Sequence, residues 1–170
     1  MEKVKIILDA DVLIHFSKAN RLNMLPSILP EYDYTILSVV YQEVKTIQQQ
    51  IDNQSLVMKN LAVIPFEPKG EMRREYAKLL TKYGKGESAC MAYCRFTQNV
   101  IGSSNLRDIK DYCKKQNITY LTTLDFLYYA FVRNILTQEE CAAFVQDVVS
   151  KGSKLPLDFD VTKYSPNAKL

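Results

Sequence analysis

The feature that most constrains this chain is a rhythm. Five short apolar runs, at residues 3–8, 34–37, 62–66, 99–102 and 118–121, recur between stretches of helical spacing. The first run contains Val-Lys-Ile-Ile-Leu and lacks the in–out alternation of a half-exposed strand. It reads as a strand buried on both faces, the kind found in parallel sheets. A parallel sheet needs a crossover after every strand, and helical crossovers cover both of its faces. The predicted fold class is therefore α/β, with a central parallel β-sheet flanked by helices on both faces.

Helices are predicted from about Asp11, then from an Asn20 cap through Leu25 up to Pro26, and over 39–51 behind Ser38 as N-cap. Further helices are predicted over 71–83, 87–96 and 106–115. Thr122 or Thr123 caps a helix reaching Arg133, and Thr137-Gln138-Glu139-Glu140 is a capping box opening the last one, near Ser150. Residues 1–152 would make one domain, which suits a chain of 170 residues. Residues 153–170 are polar and interrupted by Pro, and read as a loose tail.

Composition excludes several classes. Hydrophobic residues are 47% of the chain and charged residues 24%, the mix of a soluble globular protein. No apolar run approaches the roughly 20 residues of a membrane span. The first residues do not resemble a secretory leader, so the expected location is cytoplasmic. Cys90, Cys94, Cys113 and Cys141 form no C-x-x-C pair and read as packed, reduced thiols. Net charge is only +3. Residues 71–115, however, carry ten Lys/Arg against five acids, so this segment holds +5 and the rest of the chain −2. A basic face beside acidic residues suits a phosphate backbone.

In parallel sheets, function gathers beyond the carboxyl ends of the strands. Asp9 and Asp11 follow the first strand there. Glu43 lies early in the helix after the second, Glu87 opens the helix after Gly84-Lys85-Gly86, and Asn105 and Asp108 follow the fourth. Crowded carboxylates repel one another. A hard divalent cation such as Mg²⁺ or Mn²⁺ relieves that conflict and takes oxygen ligands. Asp9, Glu43, Glu87 and Asn105 are the candidate ligands, with Asp108 as a further candidate catalytic group. Lys85, Arg107 and Thr123 are candidate contacts to a substrate phosphate. The Gly-Lys-Gly segment is not a P-loop, because it lacks the G-x-x-x-x-G-K-[ST] spacing and follows a helix. His15, the only histidine, sits four residues after Asp11 and reads as a surface helix residue.

These segments resemble a PIN domain. The resemblance rests on Ile-Ile-Leu-Asp-Ala-Asp-Val-Leu-Ile, Tyr-Gln-Glu-Val, Gly-Lys-Gly-Glu-Ser-Ala, Ser-Ser-Asn-Leu-Arg-Asp and Ile-Thr-Tyr-Leu-Thr-Thr-Leu-Asp-Phe-Leu, in that order over about residues 3–150. It looks closest to small bacterial PIN proteins, including VapC-type toxins of toxin–antitoxin pairs. It implies a Rossmann-like fold, Mg²⁺- or Mn²⁺-dependent cleavage of RNA, a homodimer and an antitoxin protein as partner. The strand-end Asp of the family corresponds to Asp9, the helix Glu to Glu43 and the third acid to Glu87. After the fourth strand this chain has Ser104-Asn105, where the family usually has Asp. That departure supports a second reading: a non-catalytic PIN-fold module binding nucleic acid or protein, with a degenerate metal site.

Overall fold

In the computed structural model, which describes residues 2–170, the five apolar runs become five strands. They are β1 (Lys5–Leu8), β2 (Asp33–Leu37), β3 (Ala62–Ile64), β4 (Val100–Gly102) and β5 (Tyr120–Leu121). Every neighbouring pair is parallel and the order is β3-β2-β1-β4-β5. The α/β architecture with a parallel sheet is as the strand pattern predicts. The chain lays down β1, β2 and β3 in one direction and then returns to place β4 on the other side of β1. A crevice opens where that order reverses, beyond the carboxyl ends of β1 and β4.

Nine α-helices surround the sheet among the described residues: α1 (Ala10–Lys18), α2 (Leu25–Ile28), α3 (Ser38–Glu43), α4 (Gln48–Asp52), α5 (Gly70–Leu79), α6 (Lys85–Thr97), α7 (Leu106–Gln116), α8 (Thr123–Val132) and α9 (Gln138–Ser150). Ile6, Ile7 and Leu8 have no exposed surface, which requires cover on both faces. On one face, α1, α8 and α9 meet through Phe16, whose ring packs edge-on against Phe126 at 6.0 Å and Phe144 at 4.8 Å. Gly102 permits this closeness: a Cβ there would lie 3.0 Å from Leu8, 3.3 Å from Ile6 and 3.6 Å from Phe126. Ile6 and Leu8 thus share the face of Phe126. Ile7 alternates to the other face, where α6 crosses β1, β2 and β4 and packs on α3, α5 and α7.

Four local expectations are corrected. The single helix over 39–51 is broken: Val44 leaves helical geometry at φ −95°, ψ 48°, and a 3-10 turn, α4 and a π-helical turn over Asn53–Met58 follow. The buried stripe Val40, Val44, Ile47 and Ile51 survives the break, so the spacing was real while the winding changed. Ser38 does not cap that helix. Its Oγ accepts the Phe66 N–H at 2.9 Å and ties α3 to the segment after β3. Pro26 lies in the first turn of α2 rather than beyond a helix, a position where its missing N–H costs nothing.

The fourth correction concerns residues 153–170. They form no helix or strand, yet they are docked rather than loose. Val161 is 2% exposed. The Tyr164 hydroxyl and the Asn167 N–H each donate to Asp125 Oδ1 at 2.9 Å, and Asn167 Nδ2 donates to Asp125 Oδ2 at 2.8 Å. Tyr129 donates to the Ala168 carbonyl at 2.6 Å. A buried carboxylate with lone pairs to fill holds this segment down, a demand that polarity and Pro content do not reveal. All four cysteines are free thiols and buried, as expected. No helix among the described residues is long and apolar enough to cross a membrane.

Candidate active site

The crevice beyond β1 and β4 is an open cleft of about 460 Å³. Asp9, Asp11, Glu43, Glu87 and Asn105 line it, so four segments distant in sequence meet there. Asp9 is the N-cap of α1, in extended geometry at φ −87°, ψ 164°. Its Oδ1 accepts the Ala10 N–H at 2.8 Å and its Oδ2 accepts the Ser103 hydroxyl at 3.3 Å. Asp9 is 4% exposed. Burial, then the charge of Asp11 and those of Glu87 and Glu43, pushes its pKa up to about 8 against the pull of the Ala10 N–H.

Asp11 lies in the first turn of α1. Its Oδ1 accepts the Val12 N–H at 2.7 Å and its Oδ2 the Ser104 N–H at 2.9 Å. Burial raises its pKa, while N–H donors from Val12 and Ser104 oppose the rise. Glu43 ends α3 and reaches across to α6, where the Gly86 N–H donates to its Oε1 at 2.9 Å. The approach is so close that a Cβ on residue 86 would lie 2.5 Å from Glu43 Oε2. The glycine in Gly-Lys-Gly-Glu is thereby explained by contact rather than by turn geometry. Glu87, in the first turn of α6, has its pKa raised by burial and by the charges of Asp108 and Asp11, while the Asn105 amide lowers it. Asn105 Nδ2 bonds Glu87 Oε1 and also donates to Asp108 Oδ2 at 2.9 Å.

The predicted ligands Asp9, Glu43, Glu87 and Asn105 therefore do share one cleft, and Asp108 joins them through Asn105. No Lys or Arg makes an ion pair with any of these acids among the described residues. In chemistry the oxygen-only donor set fits a hard divalent cation. In placement, no group of three or more His, Cys, Asp or Glu side chains is set to hold a metal ion among the described residues. Each carboxylate is instead held by an N–H or O–H donor.

The predicted substrate contacts fare differently. Lys85 and Arg107 are exposed and do not line the cleft. Thr123 is fully buried beneath it and bonds His15 and Ser104. His15 itself is corrected: it is not a surface residue but 6% exposed, and it lines the cleft. Its Nδ1 lies 2.8 Å from Thr123 Oγ1. Burial, then the charge of Lys18, pushes its pKa down to about 4. Ser153 and Lys154 of the docked C-terminal segment also line the cleft. No sequence signal marks them, because only the docking of that segment brings them there. His15 was within reach of the helical spacing that placed it one turn beyond Asp11.

A second groove, of about 310 Å³, lies between α5, α6 and α7. Lys78, Lys82, Arg95 and Lys115 line it together with Tyr83 and Tyr112. Arg95 pairs with Glu75 at 2.8 Å, which leaves the three lysines as its unpaired cations among the described residues. Tyr83 adjoins Gly84 of the acidic cleft, so the basic face predicted over 71–115 borders the acids.

Among solved structures, the chain is similar to a PilT N-terminus domain protein from the hyperthermophilic archaeon Sulfolobus solfataricus P2. The TM-score is 0.46 and the identity 13%, over 75% of this chain and 93% of that one. No family model matches the sequence, and no curated protein matches it.

Proposed function

We propose that the chain is a divalent-metal-dependent ribonuclease of the PIN type, using Mg²⁺ or Mn²⁺. The observation that carries this reading is the convergence of Asp9, Asp11, Glu43 and Glu87 on one cleft, where no Lys or Arg pairs with them among the described residues. Burial raises the pKa of Asp9, Asp11 and Glu87, and neighbouring acids add to the rise at Asp9 and Glu87, so a positive charge among them would be favourable. A bound divalent ion would supply charge neutralisation at a phosphate oxygen and acidify water near neutral pH. Asp9, Glu43 and Glu87 would hold it, and the reading requires Glu43 and Glu87 to exchange their N–H donors for the ion. The lysines of the second groove would carry the strand, with Tyr83 and Tyr112 available for stacking. The resemblance to VapC-type proteins extends the proposal to a homodimer and to an antitoxin protein partner.

The test is cleavage of a single-stranded RNA in Mn²⁺. Wild type is expected to cut, and Asp9→Asn to lose at least about a hundredfold in rate, the scale of an essential electrostatic group. Equal cutting by both proteins would end the assignment. A second reading, a non-catalytic module, is favoured by one observation: Asn105 places an amide nitrogen between Glu87 and Asp108 where a cation would otherwise serve. Titration calorimetry with Mn²⁺ separates the two, since the module is expected to show no heat at millimolar ion.

A further inference from the structure

We propose that His15 is a substrate-binding residue: a neutral imidazole that presents its Nε2–H to the acidic cleft as a hydrogen-bond donor for a non-bridging phosphate oxygen. The inference rests on the ribonuclease reading and adds a residue to it. Its basis is a chain of hydrogen bonds beneath the cleft. The Thr123 N–H donates to Ser104 Oγ at 2.8 Å, and Ser104 Oγ lies 2.7 Å from Thr123 Oγ1. Thr123 Oγ1 in turn lies 2.8 Å from His15 Nδ1. In this bond the Ser104 hydroxyl is the donor and Thr123 Oγ1 the acceptor. Thr123 is fully buried, and among the described residues His15 Nδ1 is the partner left for its hydroxyl proton, which assigns Nδ1 as the acceptor. An imidazole that accepts at Nδ1 carries its hydrogen at Nε2.

Among the described residues that hydrogen has no protein partner: Nε2 makes no hydrogen bond there, yet it is not among the fully buried side-chain polar atoms that lack one. With the ring lining the cleft, this donor faces open space. Burial keeps the ring neutral at pH 7, so it donates without adding a charge that Asp9 and Asp11 would bind. The carboxylates Asp9, Asp11, Glu43 and Glu87 fill the cleft wall with acceptors, beside which Lys154 is the one cationic side chain of the lining among the described residues. A phosphodiester entering it needs donors, and a donor with a fixed tautomer is pre-organised for an oxygen. Asp11 completes the arrangement by fixing the Ser104 backbone through its N–H at 2.9 Å.

His15 is the sole histidine, so a long-range ¹H–¹⁵N spectrum reports one ring. At pH 7 the expected spectrum shows Nε2 protonated and Nδ1 bare, and Thr123→Val is expected to move it toward a mixture of tautomers. Adding uridine 5′-monophosphate with Mg²⁺ is expected to shift the Nε2 proton. His15→Leu is expected to weaken that nucleotide about tenfold, the scale of one hydrogen bond to a charged group, while His15→Gln, which keeps a donor, holds most of the affinity. Protonation at Nδ1 overturns the proposal. So does a nucleotide that shifts the Gly86 and Asn105 amides but leaves His15 Nε2 unmoved, and in that case the ribonuclease reading stands. A nucleotide that shifts no resonance in the cleft overturns both.

Discussion

Asp9 shows how much a single side chain can hold in tension. Its folded pKa is raised to about 8, against an unfolded carboxylate near about 4. The protonated form therefore favours the fold. The contribution is fully present below the unfolded value and is lost as pH rises through about 8. In the absence of divalent ions, urea denaturation is expected to give a less stable wild type at pH 8 than at pH 5.5. Asp9→Asn is expected to flatten that difference while removing cleavage. An unchanged pH slope in Asp9→Asn would show that Asp9 is ionised at little cost. Gly86 is the complementary case. A methyl there would sit 2.5 Å from Glu43 Oε2, so Gly86→Ala must drive the carboxylate out of the cleft. Because that carboxylate ends an exposed side chain, the expected result is a folded protein with at least about tenfold weaker Mn²⁺ binding by calorimetry. Wild-type affinity in Gly86→Ala would exclude Glu43 from the site.

At the scale of elements, α8 and the C-terminal segment form one unit through Asp125. Thr122 and Asp125 make a reciprocal capping box at the start of α8. The same carboxylate, fully buried, accepts from Tyr164 and Asn167. Asp125→Ala removes a cap worth about 1 kcal/mol and leaves several inward donors unpaired, at about 1–3 kcal/mol for each that stays buried. The expected loss is about 3 kcal/mol or more in chemical denaturation, with residues 153–170 becoming cleavable by trypsin under native conditions. Retained protection of that segment would show that Val161 and the aromatic contacts alone hold it. The consequence reaches the cleft, because Ser153 and Lys154 line it only while the segment is docked. α3 carries the same lesson. Its stripe of buried residues is continuous with α4, yet it breaks at Val44, one residue past Glu43.

For the whole molecule, acids and cations are sorted onto adjoining surfaces. The acidic cleft sits at the reversal point of the sheet, and Lys78, Lys82 and Lys115 line the groove beside it. A strand bound along that groove releases counterions, so affinity should fall steeply with salt. Lys82→Ala combined with Lys115→Ala is expected to weaken single-stranded RNA at all sequences alike and to lower the log–log salt slope by about 1.4. Fluorescence anisotropy across a salt series measures both. An unchanged slope would move the RNA path off this face.

The sequence by itself determined the sheet. Predominantly apolar runs of strand length have few other places to go, and their alternation with helical spacing makes parallel pairing the economical solution. It also determined which acids stand at the strand ends, because residue order along a strand fixes which end is carboxyl-terminal. Only the tertiary structure decided how those groups face one another. Glu43 is pinned by Gly86 on another helix, and Asn105 bridges Glu87 and Asp108. His15, read from the sequence as a surface residue, is buried against Thr123. The tail, read as loose, is fixed on Asp125. Each of these depends on contacts between residues far apart in the chain. Local spacing carries no record of such contacts, since the same polar residue can serve equally well in solvent or against a buried partner.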